Sequence, residues 1–497
     1  MLRVFNTLSK QKEEFVPVVP GHVGIYVCGP TVYDYPHMGH AKPYIAFDVI
    51  VRYLRYLGYT VRYVQNITDV GHLTDDADEG EDKIEKRAAI QRIQPMELAE
   101  FFIAEHFWAL DALGCVRPNL SPRASAHIPE IIQMCQILIE KGHAYEADGS
   151  VYFDVSSFPA YGKLSGRRPE DQEAGVRVEV APGKRDPADF ALWKKAEPGH
   201  ILRWPSPWGE GYPGWHIECS VMSMKYLGET FDIHGGGVEH VFPHHENEIA
   251  QSEAATGKPF VKYWLHNGMI TVNGVKMSKS LGNFITIRDA VKKYPPQLLR
   301  FYIASQHYRS STNFSDDLLD DSRRALDRLT SAVWALDKAI AEPGPEDSSA
   351  SSDIADAAEA AKQRFIAAMD DDFNTPGAVA ALFELASAVN RFTSGAASLG
   401  KEGLRKARAV FDELGGILGI TWPEPPSQKD ETSGLAPKLI QLLIDVRQEA
   451  RNRRDWATAD SIRNRLRELG ILLEDQIHGG TTWRIAEPVS KTLDMQT

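Results

Sequence analysis

Residues 23–67 have the sequence VGIYVCGPTVYDYPHMGHAKPYIAFDVIVRYLRYLGYTVRYVQNI, and this stretch decides the fold. The apolar run at residues 23–28 predicts a buried strand, and residues 60–67 predict a second one. A turn-rich loop lies between them, followed by a helix that Gly58 ends. The apolar positions of that helix are Ile45, Val49, Ile50, Leu54 and Leu57. Strand, loop, helix and strand form a βαβ unit, so the predicted fold class is α/β with a parallel, Rossmann-like sheet.

Two histidines, His37 and His40, lie where the loop enters this helix. The free N–H groups and the dipole of a helix N-terminus favour a phosphate at that place. Far along the chain, Lys276-Met277-Ser278-Lys279-Ser280 follows an Asn-Gly pair flanked by valines, which favours a hairpin turn. Each segment alone is also compatible with a solvated loop, but the two together favour nucleotide binding. His37, His40, Lys276 and Lys279 are therefore candidate catalytic residues, because they can neutralise charge on phosphates.

A run of glycines, from Gly235 to Gly237, follows a predicted strand at residues 231–233. Glycine has no side chain to keep a ligand away from the backbone. The run is therefore a candidate for close contact with an adenosine.

Cysteine, histidine and glutamate side chains suggest a metal site. His244 and Glu248 are four residues apart in a predicted helix that Gly257 ends, so they share a face. With Cys28 and Cys219 they would offer Zn²⁺ four ligands of suitable softness. His245 and Glu246 compete for the ligand role, and His245 can instead orient a ligand from outside the coordination shell.

The composition is that of an ordinary globular protein of several domains, with 497 residues of which 43% are apolar and 25% charged. The net charge of −13 excludes general electrostatic binding of nucleic acid, so a local basic patch is expected instead. Four cysteines do not make a disulfide framework. Because we find neither a secretion signal nor an apolar run of membrane-spanning length, we expect a cytoplasmic protein with no membrane partner.

At the residues quoted above, the chain resembles the cysteinyl-tRNA synthetase family, a branch of the class I aminoacyl-tRNA synthetases, over nearly its whole length. The two segments at residues 37–40 and 276–280 resemble the ATP-binding signatures of that class. Further matching segments are YVCGPTVYD at 26–34, NITD at 66–69, WHIECS at 215–220, FPHHENE at 242–248, MDDDFNTP at 369–376 and DWATAD at 455–460.

The resemblance implies that L-cysteine is attached to tRNA(Cys) through cysteinyl-adenylate, at the expense of ATP with Mg²⁺. It implies that Cys28, Cys219, His244 and Glu248 bind one Zn²⁺ and that the substrate thiolate completes the coordination. Thr68 and Trp215 match positions that line the cysteine pocket. The implied ATP contacts are Gly29, Gly39, Gly235, Gly237, Glu239 and Met277. Glu239 stands where the family pattern leads us to expect an aspartate. The resemblance also implies a monomer.

The domain organisation follows from composition and resemblance together. Short strands and Gly/Pro loops interrupt the α/β pattern at residues 113–208, and an Ala-rich helical pattern begins near residue 323. The predicted parts are the first catalytic half at 1–112, an insertion at 113–208, the second catalytic half at 209–266, a stem-contact region at 267–322, a helical bundle at 323–420 and an anticodon-binding domain at 434–485.

A basic helix is predicted at about residues 439–469, and we expect it to contact the tRNA. Trp456, and Trp483 beyond the helix, could stack on unpaired bases. The arginines of this helix are Arg447, Arg451, Arg453, Arg454, Arg463, Arg465 and Arg467.

Two alternatives share many of these features. A related ligase joins cysteine to an amino sugar in mycothiol synthesis, but it would need no basic domain at residues 434–485. A catalytically inactive relative that senses cysteine or binds tRNA would not need His37, His40, Lys276 and Lys279.

Overall fold

The computed structural model describes residues 1–71, 82–167, 183–278, 281–343, 345–346, 349–393, 400–424, 428–475 and 481–485. Its strands are β1 (Arg3–Asn6), β2 (Gln11–Glu14), β3 (His22–Val27), β4 (Thr60–Gln65), β5 (Ala144–Ala147), β6 (Ser150–Phe153), β7 (Phe190–Lys195), β8 (Trp204–Ser206), β9 (Gly209–Pro213), β10 (Phe231–Gly237), β11 (Val261–Asn267), β12 (Ile270–Val272), β13 (Val275–Lys276), β14 (Thr312–Phe314), β15 (Ile471–Asp475) and β16 (Thr481–Ile485). Its α-helices are α1 (Met38–Tyr56), α2 (Lys83–Gln91), α3 (Pro95–Ala112), α4 (Ile128–Glu140), α5 (Trp215–Leu227), α6 (Glu246–Thr256), α7 (Ile287–Lys293), α8 (Pro296–Ala304), α9 (Asp316–Ala341), α10 (Ser349–Asp370), α11 (Thr375–Thr393), α12 (Lys401–Leu418), α13 (Gln428–Asn452) and α14 (Trp456–Glu468).

The chain divides into two compact units, Met1–Trp422 and Pro423–Thr497. The centre of the first unit is a four-stranded parallel sheet in the order β11-β10-β3-β4. The predicted βαβ unit is confirmed as β3, α1 and β4, and α1 ends just before Gly58, which has a positive φ of 89°. The carboxyl ends of the parallel strands meet at one edge of the sheet, where ligands of such folds bind.

The glycine run belongs to the sheet. We predicted that the strand ends at residue 233 and that the glycines follow it, but β10 continues to Gly237. Gly235 pairs with Val27 of β3 on one side and with Leu265 of β11 on the other. The backbone hydrogen bonds of these glycines therefore serve the sheet rather than a loop around a ligand.

A second sheet lies in the interrupting part of the chain. It is antiparallel, in the order β5-β6-β7-β9-β8, and shares a core with α4. Its last strand ends at Pro213, five residues beyond the end predicted for the insertion at 113–208. Helix α5 then begins at Trp215, next to this sheet's last strand.

A small sheet, β13-β12-β14, carries the first residue of the lysine segment. Strands β12 and β13 form a hairpin across Asn273 and Gly274, whose φ values of 50° and 78° are those of a tight turn of the predicted kind. The predicted hairpin is therefore confirmed. Helices α9 to α12 form a bundle, and its hydrophobic core continues into the core between α1 and the parallel sheet.

The second unit contains α13, α14 and the hairpin β15-β16. The single helix predicted at 439–469 is wrong, because Arg454 has a φ of 60° and the Asp455 carboxylate starts a new helix by accepting from the Thr458 N–H. Arg447 is only 4% exposed, and Trp483 packs against a core of Ile440, Ile444, Leu466 and Leu473. The Arg447 side chain is therefore not on the surface predicted to contact the tRNA, and Trp483 is only partly exposed.

Candidate active site

One cleft at the carboxyl edge of the parallel sheet brings most of the predicted site residues together. Glu248 is buried beside the cleft, and Lys279 lies outside the described residues. The predicted residues that line the cleft are Cys28, Gly29, His37, Gly39, His40, Thr68, Trp215, Cys219, Gly237, Glu239, His244, Lys276 and Met277.

The two histidines cap helix α1 with one ring nitrogen each. The Gly39 N–H donates to Nδ1 of His37 at 3.0 Å, and the His37 N–H donates to Nδ1 of His40 at 3.2 Å. Because Nδ1 accepts, the neutral ring carries its proton on Nε2. Burial lowers the pKa of His40 well below its usual range, and the neighbouring His37 lowers it further. Both rings line the cleft, so each can donate an Nε2–H there to a phosphate oxygen.

Two glycines in the cleft leave no room for a side chain. A Cβ on Gly39 would lie 2.7 Å from Cε1 of His37 and 3.3 Å from Cε of Met277. A Cβ on Gly29 would lie 1.6 Å from the backbone oxygen of Asn66. Gly39 therefore allows the first histidine and the lysine segment to approach each other.

The glycine run has two different roles. A Cβ on Gly235 would lie 2.3 Å from the ring of Phe47 on α1, and Gly235 does not line the cleft. The smallness of Gly235 thus serves packing of the sheet against α1, and the predicted contact of this residue with ATP has no support in the geometry. A Cβ on Gly237 would meet the carboxylate of Glu239 at 2.4 Å, and both of these residues line the cleft.

The lysine segment is held by a residue that the sequence analysis did not identify. The amide of Asn283 donates to the Lys276 carbonyl at 3.2 Å and accepts from the Ser278 N–H at 2.8 Å. The chain just after the lysine segment is bonded to the start of α1, because the Met38 N–H donates to the Ile285 carbonyl at 3.0 Å. The side chain of Lys276 is exposed at the cleft and can move toward a bound phosphate.

The metal-ligating side chains come together beside these phosphate-binding groups. Cys28, His244, His245 and Glu248 each offer a ligand atom, and all four atoms lie within 4.8 Å of one another. Nε2 of His244 lies 3.1 Å from Oε1 of Glu248, and Sγ of Cys28 lies 4.0 Å from the same oxygen. The predicted sharing of one site by Cys28, His244 and Glu248 is thus compatible with the geometry.

Cys219 and His245 are the two candidates for the remaining ligand. Burial raises the pKa of Cys28 well above its usual range, and a hydrogen bond with Cys219 raises it further, which places the two thiols side by side. Nε2 of His245 lies 3.2 Å from Sγ of Cys28, while its Nδ1 lies 2.8 Å from Nε2 of His266. The contact of His245 with His266 suits the predicted role of His245 as a residue that orients a ligand.

Two further histidines orient the metal-ligating groups. Nδ1 of His216 lies 2.9 Å from Nδ1 of His244, which leaves Nε2 of His244 facing Glu248. Nε2 of His234 lies 2.8 Å from the second carboxylate oxygen of Glu248. Such outer contacts fix the orientation of ligands, and they were missed because the sequence gives no spacing rule for them.

The predicted cysteine pocket lies next to these groups. The ring of Trp215 stacks on His244 with centroids 4.3 Å apart, at the first residue of α5. Thr68 donates its hydroxyl to Glu218 at 3.2 Å and accepts from the Asn66 amide at 3.1 Å. Asn66 in turn accepts from the Gly29 N–H at 2.7 Å, so one hydrogen-bond chain joins the pocket to the loop after β3.

The fold and the cleft define a class I tRNA synthetase. Residues 14–324 match the family model of the tRNA synthetases class I (C) catalytic domain, residues 364–421 match the DALR domain, and residues 435–484 match the cysteinyl-tRNA ligase anticodon binding domain. A solved structure with a similar fold is the Mycobacterium tuberculosis methionyl-tRNA synthetase in complex with methionyl-adenylate, with a TM-score of 0.62 and 15% identity over 83% of this chain and 96% of that one.

Full-length relatives narrow the class to one family. The cysteine–tRNA ligase of Chlorobaculum tepidum is 50% identical over 97% of this chain and 98% of its own length. A cysteine–tRNA ligase of Thermus thermophilus is 49% identical over 97% of this chain and 99% of its own. The chain therefore belongs to the cysteine–tRNA ligase family, which charges tRNA(Cys) with cysteine through an adenylate. The match at residues 435–484 argues against the ligase of mycothiol synthesis.

Helices that could span a membrane were sought in the described part of the chain, and none is both long and apolar enough.

Proposed function

We propose that this cleft selects cysteine with a zinc ion and activates it on ATP in the same cavity. The zinc ligands are Cys28, Cys219, His244 and Glu248. One observation carries the proposal: Cys28, Cys219 and His244 line the cleft that also contains His37, His40 and Lys276, and the Glu248 carboxylate lies 3.1 Å from His244. Recognition of the side chain and chemistry at the carboxylate would then take place in the same cleft.

The donor set fits zinc. Two thiols, one imidazole and one carboxylate form a ligand set that favours Zn²⁺, because Mg²⁺ and Ca²⁺ prefer oxygen ligands. Burial raises the pKa values of Cys28 and Glu248 well above their usual ranges, so both groups need a cation beside them to ionise. His216 and His234 contact His244 and Glu248, and contacts of this kind fix the orientation of metal ligands. When bound, zinc supplies a soft Lewis acid that prefers a thiolate to a hydroxyl.

The chain's own side chains handle the phosphates. His37 and His40 donate their Nε2–H groups to phosphate oxygens of ATP, which binds with Mg²⁺. Lys276, and Lys279 by the sequence prediction, neutralise charge on the departing pyrophosphate. Thr68 and Trp215 confine the cysteine, and Gly29, Gly39, Gly237, Glu239 and Met277 line the nucleotide part of the cleft.

Metal removal tests this proposal. After dialysis against a chelator, we expect cysteine-dependent ATP–pyrophosphate exchange to fall by about 100-fold or more, because the ion that would bind the cysteine thiolate is lost. ATP binding should persist, since the phosphate-binding residues are not metal ligands. Readdition of Zn²⁺ should restore exchange. Undiminished exchange in a sample whose measured zinc content is close to zero would contradict the proposal.

We also propose that exposed groups of the second unit contact the anticodon region of the tRNA. Trp456 is 58% exposed at the start of α14, and it can stack on an unpaired base. The arginines that support this surface by their exposure are Arg453, Arg454, Arg463, Arg465 and Arg467. Their charges stand on a chain of net charge −13, so this local patch supplies the attraction that the whole chain lacks.

Substitution of Trp456 by alanine, combined with charge reversal at Arg454, should weaken the use of tRNA alone. We expect the KM for tRNA(Cys) in aminoacylation to rise by about 10- to 100-fold, since one stacked base and one phosphate contact are lost. ATP–pyrophosphate exchange should stay unchanged. The matched control is Arg324→Glu, a reversal at an exposed arginine of α9 in the other unit. Equal KM values for the double variant and the parent would refute this assignment.

The monomeric state stays a prediction from the resemblance, and the cytoplasmic location stays a prediction from the sequence. Sedimentation of the purified chain with and without tRNA tests the first of them.

A further inference from the structure

A lysine outside the two signatures connects them. Lys42 lies on α1, one half-turn after His40, and its side chain is only 1% exposed. Its Nζ donates to the Ser310 carbonyl at 2.5 Å and to the Thr312 hydroxyl at 2.5 Å. Burial lowers the pKa of Lys42 to about 8, so keeping this side chain charged costs free energy.

One partner of Lys42, Thr312, belongs to the sheet that carries Lys276, and the other, Ser310, lies two residues before that strand. Thr312 is the first residue of β14 and pairs with Ile270 of β12. The next residue of β12, Thr271, pairs with Lys276 of β13. The Lys42 ammonium therefore ties the helix that carries the two histidines to the sheet that carries the first signature lysine.

Residues 308–312, which contain both hydrogen-bond acceptors of Lys42, also form the outer side of the cleft wall. The Gly268 N–H donates to the Tyr308 carbonyl at 2.9 Å, and the Thr312 N–H donates to the Met269 carbonyl at 2.8 Å. A Cβ on Gly268 would lie 2.5 Å from the backbone of Ser310, so the two backbones are in direct contact. Gly268 and Met269 line the cleft.

The same segment is fixed from its other side by the motif at residues 369–376, to which the reaction itself gives no role. The buried carboxylate of Asp372 accepts from the Tyr308 hydroxyl at 2.8 Å and from Nε of Arg309 at 2.7 Å. Asp372 has a φ of 63°, a conformation that a residue other than glycine rarely adopts. Residues 308–312 are therefore held in place by several contacts. A group that binds them can set the distance between α1 and this part of the structure.

We propose that Lys42 is a positioning residue that sets the distance between the phosphate-binding histidines and Lys276. This inference rests on the roles proposed above for His37, His40 and Lys276. A buried cation is a poor choice for stability alone, because apolar residues of similar size often serve as well. The advantage of a lysine at this position is that one ammonium donates to two points, the Ser310 carbonyl and the Thr312 hydroxyl.

The test is Lys42→Met, measured by ATP–pyrophosphate exchange. We expect kcat to fall by about 10- to 100-fold, because the histidines and Lys276 no longer meet the phosphates together. The KM for cysteine should stay within about twofold of the parent, and zinc content should not change, since the cysteine pocket is untouched. Lys42→Arg should recover most of kcat, because arginine can donate to the same two oxygens and a cavity lined by Ala46, Gln306 and Thr375 adjoins the site.

Arg52→Met is the matched control. Arg52 is a cation further along α1, and it donates to Asp48 and to the carbonyls of Gly114 and Gly416 instead of the sheet. We expect it to change stability but to leave kcat within about twofold. An equal fall of kcat in Arg52→Met and Lys42→Met would overturn the proposal, as would an unchanged kcat in Lys42→Met.

Two further variants decide the remaining cases. If Lys42→Met does not fold, Thr312→Val removes one of the two acceptors at nearly constant shape, and its kcat must fall for the proposal to stand. In a double-mutant cycle, Lys42→Met should cost much less in a Lys276→Met background than in the parent. Normal kcat in Lys276→Met would show that the role proposed above for Lys276 fails, whereas a large loss there with none in Lys42→Met would reject the positioning role alone.

Discussion

Replacement of Cys219 by alanine should abolish cysteine-dependent ATP–pyrophosphate exchange and release the zinc, while ATP binding persists. The reason is that this thiol lies beside Cys28, and loss of one thiolate removes a quarter of the proposed coordination. His245→Asn should behave differently. If His245 only orients Cys28, its loss should weaken zinc binding by about 10- to 100-fold without releasing the metal at saturating zinc.

Measured zinc content and the spectrum of the cobalt-substituted protein separate these two residues. Two thiolate ligands in the parent should give a strong sulfur-to-cobalt charge-transfer band. His245→Asn should keep this band at saturating cobalt, whereas Cys219→Ala, which has lost the metal, should not show it. Cys135→Ala is the matched control, because Cys135 is a buried cysteine of α4 in the core of the antiparallel sheet. Full zinc content in Cys219→Ala, together with zinc loss in His245→Asn, would make His245 the fourth ligand and reject the assignment.

The proposed zinc ligands also affect how accurately the site distinguishes cysteine from serine. Serine differs from cysteine by one atom, and a pocket that relies on shape rejects a hydroxyl isostere by only about 100-fold. A soft metal adds a chemical criterion, since it favours a thiolate over a hydroxyl. The shape of the predicted pocket complements that criterion. The stacking of Trp215 on His244 and the Thr68–Glu218 hydrogen bond contribute to this shape.

The parts of the fold that were predictable from sequence are those that local patterns determine. The β3–α1–β4 unit follows from apolar periodicity and from Gly58, and the β12–β13 hairpin follows from the Asn-Gly pair. A glycine run is less informative, because sequence does not reveal which neighbour occupies the space of the missing Cβ. At Gly235 that neighbour is Phe47, which is distant in sequence.

The metal site illustrates a second limit. The four-residue spacing of His244 and Glu248 favours them as ligands only if the helix is regular there. The backbone is not helical at Phe242, whose φ is −142° and ψ is 132°, and α6 begins only at Glu246, so both histidines precede the helix. Nε2 of His244 and Nε2 of His245 lie 3.1 and 3.9 Å from Oε1 of Glu248 respectively. The buried Arg447 has a similar explanation, since sequence did not reveal that it would lie beside Thr481 of the terminal hairpin.

Substitution of Lys276 by methionine should lower kcat of ATP–pyrophosphate exchange by about 100- to 1000-fold, since the charge on the leaving pyrophosphate loses a cation at the cleft. The KM for cysteine and the zinc content should not change, because Lys276 is neither a proposed zinc ligand nor a residue of the proposed cysteine pocket. Asn283 holds the backbone of Lys276, so the segment should keep its conformation without the ammonium.

Lys292→Met provides the control for this loss of charge. Lys292 is an exposed lysine of α7 that pairs with Asp289, and its removal should leave exchange within about twofold of the parent. The double variant Lys276→Met with Lys279→Met should lose more activity than Lys276→Met alone if both lysines act on the pyrophosphate. An exchange rate in Lys276→Met within a few-fold of the parent would mean that the phosphates are held by the histidines of α1, and the lysine segment would then have no part in the adenylation step.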